Sequence, residues 1–310
     1  MFVIRSSCFI LRSDFVRQNS IVQNFTKNSW CILNPIEQSI KDKIEKIGVP
    51  LKDWNISINY GIKTGCNEAF IIDGETKDAL IAQDPKSAEI IRPILRGRDI
   101  KRYSYEFADK WLIATFPSRH YNIDDYPAVK HYLLSFGKEK LEQSGKKDIG
   151  GIKGNNARKK TNNKWFETQD TIAYWDDFSK QKIVYIEIMT DNVKEGYPFP
   201  CFAYDENGTI VLNTGYIMTS DTANLYYILG VLNSKFGRYL LKNYVSQLQR
   251  RQYRMLAQFI TQLPIPALTK NVQSDIAYEV KQIIELNKIS NVIEQNIDSR
   301  IYSEIGLSKN

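Results

Sequence analysis

The residues best equipped for chemistry lie in three polar clusters, and each suits contact with phosphate and base edges better than bond breaking. The first is Tyr60-Gly61-Ile62-Lys63-Thr64-Gly65-Cys66-Asn67-Glu68-Ala69-Phe70-Ile71-Ile72-Asp73, where Lys63, Thr64 and Asn67 sit on a glycine-bracketed turn. Glycine allows a tight turn and a close approach of backbone to a ligand. The second is the segment 137–168, with nine Lys/Arg (138, 140, 146, 147, 153, 158, 159, 160, 164) against four acids (139, 142, 148, 167), a local +5 within a chain total of +7. Within it Lys146, Lys147, Lys153, Asn155, Asn156, Arg158, Lys159, Lys160 and Lys164 interleave cations with amides and end on Trp165 and Phe166. The third is Gln247, Gln249, Arg250, Arg251, Gln252 and Arg254, to which Arg96 and Arg98 add a basic turn around Gly97. Lys and Arg neutralise phosphates, Asn and Gln pair with adenine edges, and Arg pairs with guanine. One basic run alone reads better as a solvated surface. Two runs and an arginine turn favour nucleic acid.

Catalytic sets are scarce by comparison. Glu75-Thr76-Lys77 and Glu279-Val280-Lys281 match the short half of a two-carboxylate, one-lysine nuclease centre, but neither follows a strand-borne Asp. No Pro-Pro pair occurs, so the Asn/Asp-Pro-Pro-aromatic motif of a DNA amino-methyltransferase is absent. Gly150-Gly151-Ile152-Lys153-Gly154 lacks the preceding strand that a cofactor-binding glycine loop requires. His120 and His131 are the only histidines, and Cys8, Cys31, Cys66 and Cys201 are scattered, which argues against a metal centre and a disulfide framework. Composition agrees with a soluble globular chain: 310 residues, 43% hydrophobic, 25% charged, pI near 9.0. No apolar run reaches the ~18 residues that span a bilayer, and the start lacks a signal-peptide layout. A reducing cytoplasm is the expected location, and no membrane is expected as a partner.

The elements that must position these residues follow from periodicity. Pro35 opens a helix through Ile36, Ile40, Ile44 and Ile47 that Gly48 stops. Ile56 and Ile58 alternate as a strand, and Ala69 to Ile72 read as another. Asp84-Pro85 predicts a helix through Ile94, Trp111 to Phe116 a buried strand, and Tyr126-Pro127 a helix through Phe136. The segment 137–168 reads as a long loop. Lys182 to Thr190 is strand-like, and Cys201 to Tyr204 with Thr209 to Asn213 predict a hairpin over Asp205-Glu206-Asn207-Gly208. Asp221 is expected to cap one long helix through Leu240. Beyond Leu263-Pro264-Ile265-Pro266, apolar residues from Ile276 to Ile301 predict one helical stripe, mildly acidic and suited to packing or assembly.

Four ordered stretches carry a resemblance: Gly61-Ile62-Lys63-Thr64-Gly65-Cys66-Asn67-Glu68-Ala69-Phe70; Ile91-Arg92-Pro93-Ile94-Leu95-Arg96-Gly97-Arg98-Asp99-Ile100; Lys164-Trp165-Phe166 through Lys182-Ile183-Val184-Tyr185; and Leu232-Asn233-Ser234-Lys235. In these the chain resembles the TaqI-type C-terminal target-recognition domain of adenine-specific DNA methyltransferases and type IIG restriction–modification enzymes. From Leu263 to Leu307 it resembles the spacer helices of type I specificity subunits.

The resemblance implies an α+β fold, with a recognition domain over 31–262 and a helical spacer over 263–310, while residues 1–30 match nothing in it and are expected to be a lead-in or the remnant of an interdomain connection. It implies recognition of double-stranded DNA on behalf of an adenine-N6 methyltransferase domain or subunit, with or without an attached endonuclease. This chain would not be catalytic by itself and would bind no cofactor. S-adenosylmethionine and Mg would belong to a separate catalytic part. An endonuclease or methyltransferase within the chain, and an assembly module acting through the C-terminal helices, are the rival readings.

Overall fold

The computed structural model describes residues 35–249 and 251–307. The fold is α+β, and the chain divides into two units between Ile47 and Gly48. In the first unit the described part is the helix Pro35–Ile47, which forms where the isoleucine spacing predicts it.

The second unit is built on two four-stranded sheets. In the central sheet the strands Ile56–Tyr60, Gly215–Ser220, Lys182–Ile186 and Phe202–Asp205 lie side by side in that order, all antiparallel. The second sheet runs Ile71–Asp73, Lys110–Ile113, Ile91–Leu95 and Ile210–Val211, with only the last pair parallel. A shared core that includes Ile62, Phe70, Leu95, Leu112, Val184, Ala203 and Val211 joins the two sheets. Lys182–Ile186 is buried at nearly every position, so it reads as a continuous apolar run rather than an alternation.

Several expected elements take another form. Only Ile71–Asp73 is strand in the first motif, because Asn67–Phe70 closes a helical turn. The helix expected from Asp84 onward is a 3-10 turn over Pro85–Glu89 followed by the strand Ile91–Leu95; Ile90, Ile91 and Ile94 are buried in the sheet core, and helical spacing misread them. The helix that does form here, Gly74–Gln83, lies upstream, capped by the Asp73 carboxylate accepting from the Thr76 N–H at 2.9 Å. The predicted hairpin does not exist as a pair. Phe202–Asp205 joins the central sheet while Ile210–Val211 crosses to the second, so the turn between them bridges sheets.

The expected long helix after Asp221 is two helices, Leu225–Asn233 and Lys235–Tyr244. Asn224 caps the first, and the Ser234 hydroxyl caps the second by accepting from the Gly237 N–H at 3.0 Å. A serine with this bond starts a new helix rather than continuing the old one. The C-terminal stripe is also divided, into Lys270–Glu285 and Asn291–Glu304. These helices pack on the pair that precedes them. A Cβ at Gly230 would lie 2.7 Å from Ile276 and 2.9 Å from Val280, so the helix Lys270–Glu285 approaches the helix Leu225–Asn233 closely. The described residues 263–307 therefore lie in the unit that begins at Gly48, and the strands Gly48–Pro50 and Pro264–Pro266 pair antiparallel within it.

A third sheet is made by Ser246–Gln249, Gln252–Arg254 and Ile188–Thr190, in that order and antiparallel. Among the described residues no helix is long and apolar enough to cross a membrane.

Candidate nucleic-acid interface

Gly61 and Gly65 fix the geometry of the first polar cluster. The chain leaves the central sheet at Tyr60 and runs beside residues 211–213, with Ile62 N–H donating to Val211 O at 2.8 Å and Asn213 N–H donating to Ile62 O at 2.9 Å. At Gly61 a Cβ would fall 2.1 Å from Leu212 O and 2.3 Å from Val211 O. No side chain fits there. Gly65 has φ +76°, and its Cβ would meet the Arg158 Cδ at 2.9 Å. The second glycine therefore makes room for an arginine from the basic segment 93 residues downstream.

Arg158 is the organising residue of that segment. Its guanidinium donates to four main-chain carbonyls: Leu141 (2.7 Å), Thr64 (2.8 Å), Glu167 (2.7 Å) and Trp165 (2.6 Å). It lies 4.9 Å from the Phe70 ring centroid and is only 4% exposed. Burial pushes its pKa down to about 10, which still leaves it charged at neutral pH. The expectation that Arg158 touches DNA is thereby corrected: its donors are committed inside the protein. The segment is accordingly an ordered lobe rather than an open loop. Gly145 N–H donates to Arg158 O (2.9 Å), Ala157 N–H to Lys146 O (2.9 Å) and Thr161 N–H to Gln143 O (3.0 Å). The buried Gln143 amide, unnoticed in the sequence, donates to Glu167 O at 3.1 Å and accepts from the Thr161 hydroxyl at 2.7 Å.

The other expected contact residues divide by what already occupies them. Thr64 is 1% exposed and donates to the Asn67 side-chain oxygen at 2.7 Å, which corrects its assignment as a surface contact. Asn155 and Asn156 shape the tip of the lobe, bonding Ile149 O and the Asp148 N–H at 3.2 and 3.1 Å. Lys146 pairs with Glu139, and Trp165 stands edge-on to Phe166 at 5.6 Å while half-buried. Lys147, Lys153, Lys159, Lys160 and Lys164 are exposed, and none makes an ion pair among the described residues. Lys63 and Asn67 are exposed beside an open cleft of about 450 Å³ that Gln169 and Asn213 also line. Those two amides were missed because they lie far from the turn in sequence; Gln169 N–H donates to Lys63 O at 3.0 Å.

Arg96 grips the Asp99 carboxylate with two side-chain bonds, 2.9 and 2.8 Å, while its own N–H donates to the same group at 2.8 Å. Burial opposes ionisation of Asp99, but these bonds outweigh it and hold its pKa below the ordinary 3.8. Arg98 is exposed beside them. A carboxyl depressed in the folded state gives stability that is complete above pH 3.8 and is lost as pH falls towards the native value. Asp99→Asn is therefore expected to lower the urea midpoint at pH 6, with the gap from the native chain closing between pH 4 and pH 2. A gap independent of pH would remove the carboxylate from the account.

The third cluster is the ribbon Ser246–Arg254. All four residues of Ser246–Gln249 are exposed, and Arg251 turns the tip with φ +68°. Arg254 is held by Glu187 at 2.8 Å, and Gln249 and Arg251 face solvent. Arg250 lies outside the described residues.

Residues 92–265 match the family described as TaqI-like C-terminal specificity domain. No curated protein sequence matches the chain. Among solved structures, the type IIL restriction-modification enzyme MmeI in complex with DNA is similar with TM-score 0.56 and 15% identity, over 82% of this chain and 33% of that one. The type IIG restriction endonuclease BpuSI is similar with TM-score 0.50 and 11% identity, over 87% of this chain and 32% of that one. The chain thus spans about a third of the length of each enzyme. The family match covers more than half of the 310 residues and the architecture agrees with it: this chain belongs to the TaqI-like C-terminal specificity domain family.

Proposed function

We propose that this chain recognises a specific site in double-stranded DNA and directs an adenine-N6 methyltransferase to it within a restriction–modification system, with or without an attached endonuclease. The chain itself supplies no catalytic group. S-adenosylmethionine and Mg would be held by a catalytic part outside this chain. The observation that carries the reading is the lobe locked by Arg158 to the Thr64 turn, on which Lys147, Lys153, Lys159, Lys160 and Lys164 are exposed and make no ion pair among the described residues. Cations not held in close ion pairs on a rigid frame suit a phosphate backbone, because binding displaces condensed counterions rather than breaking internal pairs. Membership of a specificity-domain family and the DNA-bound enzyme among its structural neighbours support the same reading.

The test is duplex binding across a salt series. Affinity is expected to fall linearly with log salt concentration, and Lys147→Ala/Lys159→Ala/Lys160→Ala to make that slope shallower by up to about 3. A native slope near zero would refute the reading. Metal-dependent cutting or methyl transfer by this chain alone would favour the enzymatic alternative.

A further inference from the structure

Within the proposed DNA-reading role, on which this inference rests, the lysine lobe and the ribbon carry different chemistry. The lobe offers ammonium groups, which neutralise phosphate but read little sequence. The ribbon offers Gln247, Gln249, Gln252 and Arg251, the side chains that pair bidentately with purine edges. The stretch of chain that carries it is basic: residues 222–274 contain Lys235, Arg238, Lys242, Arg250, Arg251, Arg254 and Lys270 and no Asp or Glu, and the acids that face its root are Glu187 and Asp191.

Its root is fixed and its outer strand is not covered. Tyr253 is buried and stacks on Phe199 with centroids 4.9 Å apart. Arg254 is pinned by Glu187, and Asp191 N–H donates to Arg251 O at 2.8 Å while its carboxylate accepts from Arg238 at 2.7 Å. Ser246–Gln249 is the edge strand of its sheet, exposed along its whole length, with a register irregularity between Gln247 and Gln249. Such an irregularity twists an edge strand and disfavours pairing with another chain. Two strands about 4.8 Å apart with their side chains fit a major groove about 12 Å wide.

We infer that the strands Ser246–Gln249 and Gln252–Arg254 enter the major groove of the duplex and that Gln247, Gln249 and Arg251 determine sequence preference, reading adenine through the amides and guanine through the guanidinium. Arg254 is a positioning residue, since Glu187 holds its side chain at the root.

Selection from a randomised duplex library with the full chain tests this. The native chain should enrich one site, and 7-deazapurine placed at its preferred purines should weaken binding about tenfold or more, because the N7 acceptor is exposed only in the major groove. Gln249→Ala and Arg251→Gly (glycine accepts the positive φ) should each relax preference at one or two positions. Their affinity for random duplex should stay within about twofold for Gln249→Ala and fall by no more than one phosphate contact for Arg251→Gly. Unchanged urea midpoints exclude misfolding, and the 7-deazapurine arm decides independently of any variant. Variants that enrich the native site with native discrimination, or a native chain indifferent to 7-deazapurine, overturn the inference and leave the DNA-reading role standing. Absence of salt-sensitive binding by the native chain overturns both. Loss of association with a methyltransferase partner while site preference is kept would make the edge strand a protein contact and overturn the inference.

Discussion

Replacing Arg158 with methionine is expected to destabilise the second unit by on the order of 4 kcal/mol, since it would leave four inward-facing carbonyls without a donor. Methionine keeps most of the aliphatic volume beside Phe70 and Gly65, so lost packing contributes little. Each abandoned acceptor costs about 1 kcal/mol or more unless water reaches it, and the site is 4% exposed in the native fold. The loss has a direction as well as a size. Leu141, Thr64, Trp165 and Glu167 belong to three separate stretches of chain that this one guanidinium ties together. The variant should therefore lose hydrogen-exchange protection first at Gly145, Ala157 and Thr161, whose N–H groups close the lobe. The check is a urea titration combined with exchange. A midpoint shift worth less than about 1 kcal/mol, or uniform loss of protection, would deny Arg158 its organising role. Duplex affinity should fall in the same variant although the side chain touches no ligand.

The second large effect is expected at Asp205. Its carboxylate pairs with Lys182, both side chains having no solvent exposure. It also accepts from the Thr209 hydroxyl (2.6 Å), the Thr209 N–H (3.2 Å), the Asn207 N–H (2.9 Å) and the Tyr105 hydroxyl (3.0 Å). Asp205→Asn keeps the shape and removes the charge, stranding an ammonium in the core beside Phe178 O. Breaking such a pair from one side costs about 3–5 kcal/mol. The loss should depend on pH with a known sign. Burial already pushes the Lys182 pKa below the ordinary 10.5 against the pull of Asp205, and without that carboxylate it must fall further. The unfolded chain then binds more protons than the folded one, so the stability of Asp205→Asn rises with pH. Urea midpoints from pH 6 to pH 10 should show the gap from the native chain narrowing. Adding Lys182→Met should recover part of the loss at pH 6, because it removes the unpaired charge. A constant gap, or no recovery, would mean that the bonds to Thr209 and Tyr105 account for the loss.

Sequence patterns located residues by type better than they located them in space. Helices with a clear apolar face, such as Pro35–Ile47 and Pro127–Leu134, were legible because spacing alone specifies them. The strand Ile91–Leu95 was not, because a short run buried on both faces has no period that separates strand from helix. The division at Ser234 was visible only as a serine among apolar residues. Its capping bond to Gly237 is a local event that a periodic reading passes over. For the candidate interface, composition singled out the basic segment but could not rank its members. Arg158, Lys159 and Lys160 look alike in sequence, yet the first is a buried strut and the next two are exposed. The signal that separates them lies elsewhere in the chain, in a glycine at 65 that leaves space for one arginine. Gln169 and Asn213 stayed hidden for a related reason, since long-range packing alone brings them to the cleft.

The pairing of Gly48–Pro50 with Pro264–Pro266 has a bearing on how specificity could be exchanged. The polypeptide enters the two-sheet body on one strand and leaves it on the adjacent one, about 4.8 Å away. A segment whose two ends emerge together can be lifted out and replaced by an equivalent one without stretching either junction. Residues 48–266 thus have the geometry of an interchangeable cassette. The helices beyond them form the socket that a new cassette would have to match, at the face around Gly230 and at the Arg102–Glu294 and Lys235–Asp298 pairs.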